Sequence, residues 1–582
     1  MVQRQRTGSR RFGRDQLLVG VFVVFAAVLG LRLFTMQIIQ YGFWSALAAD
    51  AHQLSQQLMP TRGQILVTDP DSATGVYPLA ANKTLYLLYA IPQRIKDPIA
   101  TAERLWPYLT ITKDDLLKRL DKPNDLYEPI QHNLTDDQRD AIAALKLDGL
   151  AFSDEPTRYY PEKKLGSHLL GFVGYDRDVK VGRYGLEGYF EKELAGRRGY
   201  IEAQKDASGQ LIATAAQVWQ PAVDGSNLLL TIDRTIQFEA CRQLDEAVQK
   251  HGADGGSLVI LNPKTGAVLA MCGAPDYDPN TFNQVADIKT FLNPATQVPY
   301  EPGSVFKGIT MAAALNEGQV TPETTYTDTG QVKIGNFTIK NSDGHANGVQ
   351  TMYEVLEKSL NTGAIFAMEQ VGPAKFADYV QAFGFGSPTK IDLDEAGGDI
   401  SGLKTGKEIY AATGAFGQGM TVTPLQLAAA YGALANGGKL MQPYVVDRIR
   451  KPDGAEVVTQ PKEVRAVIST QTSATISAML VRVVQNGHGK RAGVPGYFVA
   501  GKTGTAQIPD PATGTYMKDL TIGTFAGFAP VEDPQFVMVV QLIKPRDVQF
   551  AESSAAPLFG NLAKFLMLYL HIPPTTAGST KP

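Results

Sequence analysis

The chain has 582 residues, 44% hydrophobic and 19% charged, and a net charge of −3. That length predicts two or more folded units, the composition is globular, and the near-neutral balance argues against a general nucleic-acid binder. Basic residues gather only at the N-terminus, at Arg4, Arg6, Arg10, Arg11 and Arg14.

Next comes an uncharged apolar run, residues 17–31, which resumes after Arg32 as "LFTMQII". A membrane helix needs about 20 residues to cross ~30 Å of hydrocarbon. Residues 17–39 supply that if Arg32 lies near the outer edge and snorkels. The arginines before it predict a cytoplasmic tail over residues 1–16, with everything beyond the anchor facing outward. "ALA" at 46–48 resembles a signal-peptide cleavage site but lies too far beyond the apolar run, so a retained single-pass anchor is expected. The pattern from Gln40 to about Gln57 reads as the same helix continuing.

Residues 60 to about 225 mix strand patterns such as "TLYLLYAI" with helical patches such as "DDLLKRL" and "TDDQRDAIAAL", predicting an elongated α+β region that with the preceding helix makes one unit over residues 40–225. A D-G turn at 224–225 marks a boundary. Beyond it an alternating strand through Leu228, Leu230 and Ile232 leads into a long amphipathic helix. A hairpin follows, Leu258 to Leu261 and Ala267 to Met271, around N-P-K-T-G. Helices dominate from Ser304 to Asn436, including "TPLQLAAAYGALANGG", with Gly437 as its stop. Strands return at "GYFVAGKTGTAQ", "GTFAGFAP" and "PQFVMVVQLIK", and an amphipathic helix closes the unit. Strands at both ends with helices between them predict one sheet built from distant segments and covered by helices over residues 226–570. Residues 571–582 read as a disordered tail.

Two cysteines, Cys241 and Cys272, are few for a disulfide scaffold, and two buried free thiols are expected. The seven histidines show no pair at metal-ligand spacing, so neither a metal nor another cofactor is expected.

Ser304 opens the stretch "SVFKGITMAAALNEG" and is either a nucleophile or a helix cap. S-x-x-K occurs three times, at Ser304–Lys307, Ser387–Lys390 and Ser401–Lys404. K-T-G also occurs three times, at Lys264, Lys404 and Lys502. Each alone is weak evidence. Only Ser304 is followed by an apolar helical run, which would place Lys307 on its face as a base and offer free N–H groups to an oxyanion. "KSLNTG" adds Ser359 and Asn361, whose plain alternative is a helix cap. Only one combination gives S-x-x-K, S-x-N and K-T-G in chain order: Ser304/Lys307, Ser359/Asn361 and Lys502/Gly504.

With that triple pattern the chain resembles the class B penicillin-binding proteins, monofunctional peptidoglycan transpeptidases. "YEPGSVFK", "FGQGMTVTPLQLAAAYGALANGGK" and "VAGKTGTAQ" read as family phrases, and "TRGQI", "TRYYP" and "GRYGLEGYFEKELAGRRG" resemble the pedestal motifs. Val67, Lys163 and Leu360 depart from the family pattern. No glycosyltransferase signature precedes the transpeptidase region.

The resemblance implies an α+β pedestal (dimerisation) domain and a serine β-lactamase-like transpeptidase domain. It implies Ser304 as nucleophile, Lys307 as base, and Ser359 and Lys502 as a proton relay. Asn361 would hold the acyl-side amide, the backbone N–H groups of Ser304 and Thr505 would form the oxyanion hole, and Thr503, Gly504 and Thr505 would line the substrate. The implied partners are stem peptides, β-lactams, a polytopic glycan polymerase and other division proteins, with a septal role favoured over elongation. A hydrolase using the same Ser304 and a non-catalytic β-lactam-binding scaffold are the rivals. Glu187 is expected to pair with Arg62 or Arg158, and His488 to sit in a solvated loop.

Overall fold

The computed structural model describes residues 14–40, 53–176, 179–204, 218–509 and 515–575. The chain divides into two compact units, 1–60 with 197–223, and 61–196 with 224–582. The first contains the apolar helix Arg14–Phe34, which continues as a short π-helical segment, Thr35–Ile39. Residues 17–39 are long and apolar enough to cross a membrane, and none of this surface is buried. The same unit holds a three-stranded antiparallel sheet of Gln53–Leu58, Gly199–Gln204 and Val218–Gln220. The helix expected to run to about residue 57 is therefore replaced by strand at its far end. The cleavage-like "ALA" and most of the basic tail lie outside the described residues.

In the second unit a seven-stranded sheet runs across the expected boundary at 225/226. Asn227–Asp233 pairs in parallel with Ile65–Thr68 on one side and antiparallel with Val446–Arg450 on the other. Its alternation buries Leu228, Leu230 and Ile232. Asp233 then accepts the Thr235 and Ile236 N–H groups and caps the helix Arg234–Lys250. Nearby, Glu187 is fully buried and pairs with both Arg62 and Arg158, not one of them. Burial pushes its carboxyl up, and the two guanidinium groups overcome that and leave it below the ordinary carboxylate range.

The second sheet is antiparallel, in the order Val268–Ala274, Gly255–Leu261, Phe536–Ile543, Tyr516–Ala529, Ala500–Pro509. Period-2 alternation splits its side chains between two cores. Val259, Leu261, Val537 and Val539 pack with the helix Pro424–Ala435. Leu258, Ile260, Met538 and Val540 pack with Arg234–Lys250 and Ala555–Tyr569. The helix Pro424–Ala435 stops where expected, with Gly437 at φ +60°. The edge strand Val268–Ala274 is covered by the buried Gln237, whose amide bonds both the N–H and the carbonyl of Met271.

Three further expectations are corrected. Cys241 and Cys272 form a disulfide, because the helix carrying Cys241 lies directly on the strand carrying Cys272. The region between Ser304 and Asn436 is interrupted by two small hairpin sheets, Thr325–Asp328 with Gly348–Thr351 and Gln331–Ile334 with Phe337–Lys340. The start of the supposedly disordered tail is tied down: the Tyr497 hydroxyl donates to the Ile572 carbonyl and Thr575 N–H to Gly496 O.

Candidate active site

Ser304 lies in the 3-10 turn Gly303–Phe306, which feeds the helix Lys307–Asn316. Pro302 occupies the cap position, and no side chain caps the turn. The capping explanation for Ser304 is thus excluded, and its N–H lies in a first turn, where helix geometry leaves donors free. The turn is braced from below, where Tyr431 donates to the Val305 carbonyl at 2.6 Å and Thr310 to the Ala415 carbonyl at 2.7 Å.

Lys307 follows within one turn, 1% exposed. Its Nζ donates to the Ser359 carbonyl and, at 3.2 Å, to the Ser359 hydroxyl. Lys502, fully buried, donates to the same hydroxyl at 3.0 Å and to the Thr503 carbonyl at 3.1 Å. Three residues separated by up to 195 positions in sequence therefore meet at one oxygen. A hydroxyl has two acceptor lone pairs and one proton. With both lone pairs engaged by the lysines, the Ser359 proton is left to donate elsewhere.

Ser359 is not a cap either. Leu360 is the N-cap of Asn361–Val371, and Ser359 sits between two helices at φ +56°. A non-glycine residue there costs on the order of 1–3 kcal/mol, a strain that clusters at functional sites. Asn361, two residues on, donates its amide to the Lys340 carbonyl at 2.9 Å.

The strand Ala500–Pro509 is the sheet edge beside the Ser304 turn. A Cβ on Gly504 would lie 2.8 Å from Pro302 O and 2.9 Å from Val305 N, and one on Gly303 only 3.2 Å from the Ala506 Cβ. Glycine at both positions lets strand and turn touch backbone to backbone. The Thr503 hydroxyl accepts from Lys502 at 3.4 Å. The Thr505 hydroxyl accepts from Ala551 N–H at 3.0 Å, which leaves its own proton to donate.

Electrostatics follow from burial. The Lys307 ammonium is pushed well below the ordinary lysine range by desolvation, then by the nearby Lys502, with Asp343 opposing. Desolvation lowers Lys502 to about 7. A neutral Lys307 has two N–H donors, both spent on Ser359, and one lone pair able to take a proton.

The competing motifs lie elsewhere. Lys264 pairs with Asp533 in its hairpin turn, and Lys404 sits in the 3-10 turn Leu403–Thr405. His488 pairs with Glu552 at 3.0 Å, half-exposed in a loop. Among the described residues no cluster of His, Cys, Asp or Glu could hold a metal ion.

Sequence reasoning missed Asp328 and Asn341. Asp328 is buried and accepts from Gly330 N–H, the Asn341 and Asn347 amides, Asn347 N–H and the Thr362 hydroxyl. Asn341 in turn accepts Asn361 N–H at 2.9 Å and Thr362 N–H at 3.2 Å, fixing the start of the helix that carries Asn361. Their only local signals are the turn-forming "DTG" and "NSDG", which read as loops.

The transpeptidase-domain profile of penicillin-binding proteins matches residues 256–564, and the penicillin-binding protein dimerisation-domain profile matches 57–230. The chain belongs to the penicillin-binding protein transpeptidase family. This penicillin-binding protein is 34% identical to stage V sporulation protein D of Bacillus subtilis over 566 residues, 96% of this chain and 85% of the relative. It is 31% identical to peptidoglycan D,D-transpeptidase FtsI of Escherichia coli K12, covering 89% and 85%. Among solved structures it resembles penicillin-binding protein 3 of Mycobacterium tuberculosis complexed with aztreonam, with a TM-score of 0.69 and 28% identity over 90% of this chain and all of that one.

Proposed function

We propose that this penicillin-binding protein is a peptidoglycan D,D-transpeptidase working through an acyl-Ser304 intermediate. The observation that carries the reading is the meeting of Lys307 and Lys502 at the Ser359 hydroxyl, with the Gly504 strand packed on the Ser304 turn. The Ser304 hydroxyl attacks the carbonyl between the two terminal D-alanines of a stem peptide, and Lys307 takes its proton. The N–H groups of Ser304 and Thr505 receive the oxyanion. Ser359, held by both lysines, protonates the leaving D-alanine nitrogen and takes a proton back from Lys307, so that an acyl ester and a neutral Lys307 remain. An acceptor amine then attacks that ester, and its proton passes through Lys307 to the departing Ser304 oxygen.

The edge strand Ala500–Pro509 would take the donor backbone as an added strand, with Asn361 on its acyl-side amide. The Thr503 and Thr505 hydroxyls and the Lys502 charge would hold its terminal carboxylate. β-Lactams present the same carboxylate and a strained amide, and are expected to acylate Ser304. The FtsI relative and the aztreonam complex of the mycobacterial protein support that substrate class.

The division into a pedestal over 40–225 and a transpeptidase domain over 226–570 belongs to this proposal. So does the orientation, with residues 1–16 cytoplasmic and the catalytic region outside, argued from the basic residues before the apolar helix. A polytopic glycan polymerase and other division proteins are the partners proposed, in septal synthesis. The test is mass spectrometry of the β-lactam adduct. The expected result is one adduct on Ser304 and none in Ser304→Ala, and an adduct that survives that substitution would refute the assignment.

A further inference from the structure

Three residues before Ser304 lies a buried carboxylate that the reaction above does not use. Glu301 is 9% exposed, and no lysine or arginine pairs with it among the described residues. Its Oε1 accepts Gly419 N–H at 3.0 Å and its Oε2 accepts the Tyr516 hydroxyl at 3.1 Å. These donors belong to different walls of the site. Gly419 ends the turn whose Gly417 carbonyl receives Gly303 N–H at 2.9 Å. A Cβ on Gly417 would lie 2.2 Å from the Gly303 carbonyl, so that turn cannot move without moving the nucleophile. Tyr516 stands opposite Pro509, at the far end of the two-stranded ribbon that carries Lys502 to Thr505. Burial raises the Glu301 carboxyl, and the two donated bonds oppose that rise.

An isolated carboxylate is costly to bury, and among the described residues these two bonds are its compensation. We propose that Glu301 is a positioning residue that clips the distal end of the substrate strand and the Gly417–Gly419 turn to the segment bearing Ser304, and so sets the distance between nucleophile and bound acyl donor. The proposal rests on the acyl-serine reading. It assigns Glu301 no contact with substrate. Neighbouring Tyr300 reinforces the clip, accepting the Thr524 hydroxyl at 3.2 Å and pairing its backbone with Val422.

The chemistry predicts which replacement is tolerated. In Glu301→Gln the amide oxygen still accepts Gly419 N–H. The amide NH2 donates to the Tyr516 oxygen, whose proton turns to solvent. In Glu301→Ala both ties are lost. In Tyr516→Phe only the ribbon tie is lost, at a half-exposed position where the fold is not at stake.

The experiment measures stopped-flow acylation of the full chain by a fluorescent penicillin, separating the initial dissociation constant from the acylation rate constant. Melting temperature and adduct mass spectrometry are recorded for each variant. Glu301→Ala is expected to lower the acylation rate constant about tenfold with little change in the dissociation constant, and Tyr516→Phe to lower it by a smaller factor. The double variant should be no slower than Glu301→Ala, because the two side chains act through one tie. Glu301→Gln should stay within about twofold of wild type. Additive effects in the double variant, a Gln variant as slow as the Ala variant, or an Ala variant acylating at the wild-type rate would each overturn the clip. Loss of the Ser304 adduct from wild type itself would instead reject the acyl-serine reading.

Discussion

The chemistry of the site turns on two lysines that are cheaper to bury neutral than charged. Below the depressed pKa of Lys307 its lone pair is filled, so acylation should fall as pH drops through that value and reach a plateau above it. Lys307→Met fills the same space without a base, and should lower acylation by about two to four powers of ten on that plateau, the gap narrowing as pH falls. Its fold should survive, because a buried amine has been exchanged for an apolar chain of similar size. Lys502 gives a stability prediction. It loses its proton near 7 in the folded chain and only near the ordinary lysine value of about 10.4 when unfolded. Between those values the unfolded chain binds more protons, so this group makes stability rise with pH across that window. Denaturant titrations at pH 7 and pH 9.5 should show that increment in wild type and lack it in Lys502→Met. An equal rise in both would show that Lys502 does not titrate there.

At the scale of elements, the helix Arg234–Lys250 is fastened to the edge strand Val268–Ala274 twice, by Gln237 on the Met271 backbone and by the Cys241–Cys272 bridge. The bridge closes a loop of 31 residues, for which chain entropy predicts about 3–4 kcal/mol of stabilisation. Replacing both cysteines by serine should lower unfolding free energy by that order in chemical denaturation. Acylation at Ser304 should hardly change, because the nucleophile turn packs on the opposite edge strand. The pairing was hidden in the sequence, since a separation of 31 is compatible with a bridge and does not require one. The geometry that decides it, a helix laid across the neighbouring strand, exists only after folding.

At the scale of the molecule, the gathering of Lys307, Ser359 and Lys502 was legible because three short motifs in fixed order are improbable together. The folded chain brings Lys307, Ser359 and Lys502 to one point. The hairpin Gly255–Leu261 and Val268–Ala274 and the last three strands were also readable and join in one sheet, whereas the alternating strand through Leu228, Leu230 and Ile232, expected in that sheet, pairs into the other. What stayed illegible is what depends on contact between remote turns. Asp328 gathers donors from as far as Thr362, and nothing near it in sequence announces a hub. The sheet crossing the 225/226 boundary was equally invisible, because a parallel partner leaves no local signature. It has a consequence for dissection of the chain. Residues 226–582 alone would lose Ile65–Thr68 from beside Asn227–Asp233 and expose the buried Leu228, Leu230 and Ile232 strand along one edge. That fragment should aggregate, or acylate a small fraction of its molecules, when compared by penicillin titration with a chain retaining residues 61–196. A fully active, monodisperse fragment would show the first strands to be dispensable.

The close approach of Gly417 to Gly303, and of Gly504 to Pro302 and Val305, leaves no slack around Ser304. Any variant that evades an inhibitor by bulking out those walls would also disable its own turnover. Escape under antibiotic selection should therefore arise at the rim, where side chains such as Asp343 and Phe550 stand in solvent and can be exchanged without touching the backbone junction.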